Sequence, residues 1–207
     1  EATRVTNLDP KLQTTIADSE IDYENIPSTF NFIEWEVKDS DEKIIIATTR
    51  PELICTCGMV IFNPEDKRYK HLDGKKVYSP IFEKEILIKA HPLAQIDKGT
   101  GIVMMCSAGD LSDIQFFREQ NLKPIIAINK DGTMNEHANF LEGLKVKDAR
   151  GQMIEELKKK GLLVKQEKIS HRTPVSEKSK AEVEFIEMPE FYLKQLDFIE
   201  DLKKLIT

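Results

Sequence analysis

The sequence is poor in cysteine, and its few cysteines are not spaced as a metal site. Cys55, Cys57 and Cys106 are the three cysteines among 207 residues. An odd number of cysteines in a chain without a secretion signal favours reduced thiols over disulfides. Cys55 and Cys57 could begin a zinc site, but the four histidines are scattered singly and supply no second ligand pair at a matching spacing. We therefore expect no metal.

Long apolar runs and nucleotide-binding loops are also missing. No run approaches the length of a membrane span, and the acidic, polar N-terminus has neither the basic nor the apolar region of a signal peptide. We expect a cytoplasmic protein without a membrane partner. Neither GxGxxG nor GxxxxGK[S/T] occurs, so no glycine-rich nucleotide loop is expected. The chain starts at Glu1 rather than at methionine, which indicates a piece of something longer.

The composition is that of a globular protein with a net negative charge. Hydrophobic residues make up 40% and charged residues 32% of the chain, which can therefore bury a sizeable core in one large domain or two small ones. Acidic residues number 36 and basic residues 30, which gives a net charge of -6. Proteins that bind nucleic acid by charge alone are basic. A nucleic-acid partner would thus be contacted over little of its backbone.

Short apolar runs separated by turn residues predict a β-rich core. Strands are indicated at Glu20–Glu24, Phe30–Val37, Lys43–Thr48, Gly58–Phe62, Lys75–Tyr78, Glu85–Ala90, Gly101–Met105 and Pro124–Ile128. A slip in the alternation between Phe32 and Ile33 indicates a bulge. Residues 1–19 are weakly patterned and are expected to form a surface arm. Many short strands with helices between them predict an α+β fold with a closed β-barrel-like core decorated by several helices.

The helices are predicted mainly from their ends. Asn63-Pro64-Glu65-Asp66 offers a cap residue, a proline at the first position and acids near the positive helix terminus. Asp110 opens a second helix, and Val146–Lys160 is a third with one apolar face. Gln195–Ile206 forms a last amphipathic helix. A turn is expected at Asp131-Gly132, after a strand.

Hydroxyl groups and a guanidinium follow a strongly apolar strand at Thr48-Thr49-Arg50-Pro51-Glu52. Such donors and acceptors at the rim of a sheet can bind a ribose, a phosphate or a carbonyl oxygen. The same residues also fit a polar turn that only closes the strand, and composition alone favours that interpretation. The segment is a candidate site whose meaning depends on what lies opposite it.

A second candidate joins a glycine-flanked strand to a helix. Gly99-Thr100-Gly101 precedes the strand, and the small residues 106–109 lead to Asp110 and Asp113 at the helix start. Small residues there let a ligand approach the backbone, and the free N–H groups of a helix start point outward. The two carboxylates are one helical turn apart and could together hold an ammonium group or orient a water. A capping pair, with Asp110 at N-cap and Asp113 at N3, explains the same residues equally well.

The other polar and sulfur-containing residues carry weaker signals. His171-Arg172-Thr173-Pro174 is interpreted as a solvated polar turn rather than a catalytic element. Met104, Met105 and Cys106 are interpreted as strand core. Trp35, the one tryptophan, is predicted to be core rather than a platform on which bases stack.

At Ala47–Glu52 and Gly99–Asp113 the sequence resembles the editing (CP1) domain that is inserted in the class I aminoacyl-tRNA synthetases for valine, isoleucine and leucine. That family has a strand end of the type TTRPE, and a GTGxV strand followed by a loop that ends in an aspartate. The likeness spans nearly the whole chain, and the segment Glu182–Lys194 favours the valyl branch, of an archaeal type. The HIGH and KMSKS signatures of the synthetic site are absent, so this piece cannot activate an amino acid by itself.

The resemblance implies hydrolysis of the ester bond of mischarged tRNA, with Thr-tRNA(Val) as substrate, at the 3′-terminal adenosine. It implies catalytic roles for Asp113, Asp110, Thr48 and Thr49, and substrate or tRNA-end binding for Arg50, Glu52, Met104, Cys106 and Ser107. Met104, Cys106 and Ser107 depart from residues that many valyl enzymes carry, and the CPxCQT zinc knuckle of relatives is replaced by Asp9-Pro10-Lys11-Leu12-Gln13-Thr14. No cofactor is implied for this piece, since ATP and magnesium belong to the catalytic domain of the parent enzyme.

The resemblance also implies a domain organisation and a set of partners. Residues 1–207 would form one editing domain, with a core at about 20–165 and a segment 170–207 that returns to the catalytic body. The partners would be the 3′ end of an aminoacyl-tRNA and the remainder of the synthetase, and the fragment would be a monomer. The alternatives are an isoleucyl or leucyl editing domain, a tRNA 3′-end-binding module whose hydrolytic site has decayed, and an unrelated β-barrel protein with capped helices.

Overall fold

The computed structural model describes residues 1–193 and 195–206. The strands are β1 (Ala2–Asp9), β2 (Thr14–Thr15), β3 (Ile21–Val37), β4 (Lys43–Thr48), β5 (Cys57–Phe62), β6 (Lys76–Tyr78), β7 (Glu85–Ala90), β8 (Ile102–Cys106), β9 (Leu163–Ser176) and β10 (Glu184–Glu190). The α-helices are α1 (Leu111–Glu119), α2 (Val146–Lys159) and α3 (Ile199–Ile206). Short 3-10 helices occupy Asp18–Glu20, Pro51–Thr56, Lys70–Leu72, Glu136–Leu141 and Gln195–Phe198. Lys194 and Thr207, which end the segment Glu182–Lys194 and the predicted domain, lie outside the described residues.

The main sheet curls into a barrel-like core, as predicted. Its strands follow the order β4-β3-β6-β7-β5-β8, and β9 pairs with β3 outside this path. The terminal strands β4 and β8 lie in contact, so the sheet turns back on itself. Alternate residues of each strand point inward, and Ile46, Val60 and Ile88 are fully buried there. Trp35 is 1% exposed and belongs to this core, which confirms its predicted role.

The strand β3 is much longer than either of the two strands predicted within it. It runs for 17 residues and pairs with β9 from Ile21 opposite Ser176 to Ile33 opposite Leu163. The register shifts between Phe32 and Ile33, so the predicted bulge is confirmed. Beyond the barrel, β3 and β9 continue as a two-stranded ribbon.

A second, three-stranded sheet of order β10-β1-β2 lies at the end of this ribbon. Its strand β1 pairs antiparallel with β10, from Ala2 opposite Glu190 to Leu8 opposite Glu184. The expectation of a surface arm at residues 1–19 is therefore wrong. The segment is weakly patterned because β1 is buried only towards Leu8 and Asp9, but its backbone has β10 as a partner.

Two of the predicted helices are confirmed, and one is wrong. Helix α1 begins at Leu111, directly after the predicted cap Asp110, and α2 begins at Val146, as predicted. Asn63–Asp66 forms a turn instead of an α-helix, closed by a bond from the Asp66 N–H to the Asn63 carbonyl. The Asp66 carboxylate then accepts the N–H of Arg68 at 3.1 Å and binds its guanidinium. A side chain that takes local backbone donors competes with helix formation. At Gln195–Ile206 the structure divides the predicted helix into a 3-10 turn and α3.

The predicted strand Pro124–Ile128 does not form. Its backbone finds side-chain partners instead of a neighbouring strand, because the Ile125 N–H donates to Ser107 Oγ at 2.8 Å and Asn135 Nδ2 donates to the Ile126 carbonyl at 2.8 Å. Only Ile128 makes an isolated bridge, to Met134, across the predicted turn at Asp131-Gly132. Across residues 1–193 and 195–206, no helix is long and apolar enough to cross a membrane.

Candidate functional site

Both candidate segments open on one cavity of about 320 Å³ between the mouth of the barrel and the ribbon. The strand end Thr48–Arg50 lines one side of it, and β8 with the start of α1 lines another. The ribbon contributes Ile26, Pro27, Ser28 and Phe30 of β3. The two segments that the sequence singled out separately therefore share one space.

The strand end is held in shape by its own side chains. The Thr48 hydroxyl accepts the N–H of Arg50 at 3.0 Å, and Asn31 Nδ2 donates to the Thr48 carbonyl at 3.2 Å. Pro51 then starts a buried 3-10 helix, so the chain turns sharply after Arg50. The turn leaves Thr49 and the guanidinium of Arg50 on the cavity wall.

The guanidinium of Arg50 lies between two carboxylates. Nε donates to Glu52 at 3.1 Å, and Nη2 donates to Glu184 at 2.7 Å. Arg150 binds both oxygens of Glu52, at 3.0 and 3.1 Å. Burial acts to lower the pKa of Arg50, but Glu184 and Glu52 raise it above its ordinary value. Arg50 is thus a fixed, permanently charged donor.

Asp110 caps helix α1, whereas the side chain of Asp113 lines the cavity. Asp110 is the N-cap of α1: its Oδ1 accepts the N–H of Asp113 at 2.9 Å and the hydroxyl of Ser112 at 2.6 Å. The capping interpretation is right for Asp110. Asp113 completes no capping box, because its Oδ1 accepts the N–H of Cys106 at 3.3 Å and its side chain lines the cavity. The carboxylate of Asp113 is therefore available to a ligand.

The environment of Asp113 disfavours its charge. Burial is the largest cause, followed by the neighbouring Asp110, and together they raise the pKa of Asp113 well above its usual value. None of the ion pairs formed by residues 1–193 and 195–206 involves Asp113. Arg50 acts in the opposite direction without forming an ion pair with Asp113, and a positively charged ligand would offset the desolvation of this half-buried carboxylate further.

The three predicted pocket residues of the β8 segment have different positions. Met104 and Cys106 are buried and line the cavity. Ser107 lies behind its wall, because its hydroxyl donates to the Thr56 carbonyl at 3.0 Å and accepts the N–H of Ile125. Glu52 likewise lies behind Arg50 and is fully buried. These two residues support the wall rather than face the cavity.

The cysteines are free and buried. Cys57 is the cross-strand partner of Cys106. Burial raises the pKa of Cys55 to about 12. A hydrogen bond with Cys57, then burial, raise the pKa of Cys106. Protonated thiols are poor nucleophiles. Among the described residues, no group of three or more His, Cys, Asp or Glu side chains is placed to hold a metal ion.

The cavity wall includes polar residues that the sequence did not single out. Arg150 comes from α2, Lys98 from the loop before β8, and Glu182 from the segment before β10. His171 also lines the cavity, so its interpretation as a solvated turn is wrong: it lies in β9 opposite Ile26, and burial followed by Lys98 lowers its pKa. His171 and Thr173 lie two positions apart, as residues on one face of a strand do. The partner of His171 across the ribbon is Ile26, which is 145 positions away (171 minus 26), so local sequence does not reveal the pairing.

The chain is similar to valine–tRNA ligases over nearly all of its length. The chain is 38% identical to that of Aeropyrum pernix and 43% identical to that of Nanoarchaeum equitans, in each case over 99% of its length. It is 42% identical to that of Pyrococcus abyssi over 94% of its length. No family model matches. The chain spans about a quarter of the length of these relatives, which is 25%, 27% and 22% respectively.

A solved structure has the same fold. It is the agnB2 LeuRS of Agrobacterium radiobacter K84 in a ternary complex with tRNA and LeuAMS. The match has a TM-score of 0.52 at 16% identity, and it covers 72% of this chain and 20% of that chain. The chain is an editing domain of the class I aminoacyl-tRNA synthetases. Within that family the relatives reported above agree with the predicted valyl branch of an archaeal type. The editing domain corresponds to one segment of a much longer enzyme in these relatives.

Proposed function

We propose that this editing domain hydrolyses the ester bond of mischarged tRNA, and that its substrate is Thr-tRNA(Val). The observation that carries the proposal is the position of Asp113. Its carboxylate shares a cavity with the donors of Thr48–Arg50. A cavity with an acceptor for an ammonium group on one side and donors for oxygens on another suits an aminoacyl ester of a ribose.

The amino acid would be held by its ammonium group. Asp113 accepts a backbone N–H on Oδ1, and its other oxygen is left for a cation. Asp110 keeps the start of α1 in place and adds negative potential nearby. Binding of the ammonium group would then stabilise the ionised form of Asp113, whose pKa burial and Asp110 hold high in the empty cavity.

The ester and the terminal adenosine would be held by the strand end. Thr49 offers a hydroxyl, and Arg50 offers a guanidinium fixed in one orientation. The attacking group is a water placed near the ester, since the neighbouring thiols are protonated. Positioning of reactants in one geometry supplies a large part of such catalysis, and a donor aimed at the developing oxyanion supplies more.

The preference for threonine follows from the limited selectivity of a pocket that binds valine. A pocket that accepts valine rejects the nearly isosteric threonine by only about a hundredfold, so a second site is needed to remove the product. Many valyl enzymes carry a lysine and a threonine in this pocket strand, where this chain has Met104 and Cys106. The cavity wall is therefore more apolar here. We therefore expect modest rather than strict rejection of valine.

The domain would act as an insertion in the cytoplasmic synthetase. The antiparallel pair of β1 and β10 supports this, because it brings residues near both ends of the chain side by side. We propose that 1–207 is one monomeric domain, that 20–165 holds the core, and that 170–207 leads back towards the catalytic body. The 3′ end of tRNA and the remainder of the synthetase are its partners.

The test is deacylation by the purified domain and by the full-length synthetase. We expect hydrolysis of Thr-tRNA(Val), and we expect Asp113→Ala to lower kcat/KM by roughly 100-fold or more because the ammonium anchor is lost. Asp41→Ala, on an exposed turn, is the matched control. Wild-type rates in Asp113→Ala would refute the assignment. Binding of the tRNA end without hydrolysis would indicate a decayed site, which the substitutions at Met104 and Cys106 favour as the second candidate.

A further inference from the structure

A cluster of four charges forms part of the cavity wall and reaches behind it, well beyond the predicted strand end. It consists of Arg50, Glu52, Arg150 and Glu184, and the four residues come from three separate parts of the chain. We propose that Glu184 and Arg150 are positioning residues that hold Arg50 for the reaction. This inference rests on the proposed function.

The contacts of Arg50 fix the plane of its guanidinium. Glu52 accepts from Nε and Glu184 accepts from Nη2, so two of the three nitrogens of the group are held by charge-assisted bonds. A guanidinium has five N–H donors. Nη1 makes only a long contact with the Gly109 carbonyl, at 3.5 Å. Donor capacity therefore remains on the edge that is turned towards the loop before α1.

Arg150 neutralises the net negative charge that Arg50 and its two carboxylate partners would otherwise have. Arg50 between Glu52 and Glu184 alone has a net charge of -1, which would weaken its attraction for an ester oxygen. Arg150 binds both oxygens of Glu52 and brings the cluster to zero. Exposures of 0% for the Glu52 side chain and 5% for that of Glu184 keep water from screening these charges. Arg50 thereby stays an effective donor.

The cluster also joins three elements of the fold. Arg50 follows β4 of the barrel, Arg150 belongs to α2, and Glu184 begins β10 of the second sheet. The orientation of a group in the cavity wall thus depends on the second sheet being docked. A residue that acts through Arg50 should affect the chemical step more than the binding of the tRNA end.

The first experiment measures kcat and KM for Thr-tRNA(Val) separately. Glu184→Gln and Arg150→Met are expected to lower kcat by about 10-fold to 100-fold with KM within about threefold, since they misplace a donor without removing it. Arg150→Lys keeps the charge and should recover part of kcat. Glu187→Gln, exposed on the same strand, and Lys147→Met, exposed one turn earlier on α2, are the matched controls and should retain kcat.

The second experiment observes Arg50 itself by NMR. Its Nη2 protons, identified by their loss in Arg50→Lys, are held by Glu184 and should be protected from exchange with water in the wild type and lose that protection in Glu184→Gln. An unchanged Arg50 signal, or a kcat within twofold of wild type in both Glu184→Gln and Arg150→Met, overturns the inference. A wild-type domain without hydrolysis refutes the proposed function instead, and the Arg50 signal still shows whether Glu184 and Arg150 hold this residue.

Discussion

Gly109 lies against the carboxylate of Asp113, and a Cβ atom built on this glycine would come within 2.2 Å of Oδ2. No contact of that length is tolerated, so a larger residue must displace either the loop or the carboxylate. The loop also carries the carbonyl that Arg50 Nη1 approaches. The absence of a side chain at position 109 is therefore part of the site.

We expect Gly109→Ala to lower deacylation by about 10-fold or more, because displacement of a reacting group by about 1 Å is sufficient for that. The measurement is kcat/KM for Thr-tRNA(Val), with the melting temperature as the check on folding. Gly151→Ala is the matched control: nothing lies within 4 Å of its Cβ in the exposed middle of α2. This control should keep its activity and gain up to ~1 kcal/mol of stability. Full activity in Gly109→Ala would show that Asp113 tolerates the shift.

The residues that the sequence predicted for the site are those with a local pattern. Thr48–Arg50 follows an apolar strand, and Asp110 caps a helix, so each signal lies within a few positions. The partners of Arg50 and Glu52 lie 134 and 98 positions away, at Glu184 and Arg150. No local pattern carries such contacts, because they arise only when the second sheet and α2 pack against the barrel.

At the scale of elements, Asp9 closes the turn between β1 and β2. Its Oδ1 accepts the N–H groups of Lys11 and Leu12 at 3.0 and 2.9 Å, in the turn between β1 and β2. Burial acts to raise the pKa of Asp9, but the nearby hydroxyls of Ser176, at the end of β9, and of Ser179, and then these two N–H groups, lower it below its usual value. Asp9 occupies the first position of the knuckle motif and holds the turn between β1 and β2 without a cysteine ligand.

We expect Asp9→Ala to destabilise the domain by about 1–3 kcal/mol at neutral pH, because backbone donors lose a charged acceptor. A carboxyl whose pKa is lowered by folding stabilises the fold above its unfolded pKa, and that stabilisation is lost as the pH falls through the folded pKa. The difference between wild type and Asp9→Ala should therefore shrink below about pH 4. Urea unfolding at several pH values measures it, with Asp41→Ala as the control. A difference that is independent of pH would mean that the carboxylate charge plays no part.

The elements that the sequence predicted correctly have strong periodicity or clear ends. Strands β4 and β7 match the predicted bounds because each is a short apolar run flanked by charged or turn residues. Strand β9 is largely exposed, and no residue before Val175 is fully buried. Its sequence therefore shows little of the alternation of apolar and polar residues that predicts a strand. Its pairing with β3, rather than its own sequence, makes it a strand. The weakly patterned β1 is explained in the same way.

At the scale of the whole molecule, the surface cations are largely matched by acids. The net charge is -6. Surface lysines of the barrel and the ribbon form ion pairs, as Lys43 does with Glu34, Lys76 with Glu85, Lys178 with Glu20 and Lys180 with Asp22. Such pairs contribute little to stability when exposed. They do reduce the positive potential that a phosphate backbone would meet.

This charge distribution leads to a prediction about how the isolated domain binds its substrate. Each phosphate contact adds about 0.7 to 0.9 to the slope of log affinity against log salt concentration. Because the cavity receives only the 3′ end, we expect a slope of magnitude below about 2 between 50 and 200 mM salt, which corresponds to about two phosphate contacts. Measurement of KM for threonylated minihelix and for a short threonylated 3′ fragment, over this range, tests it. The two substrates should agree within about threefold, because the helical stem contributes no charged contact. A steep slope together with much tighter binding of the minihelix would place a phosphate-binding surface on the barrel or the ribbon.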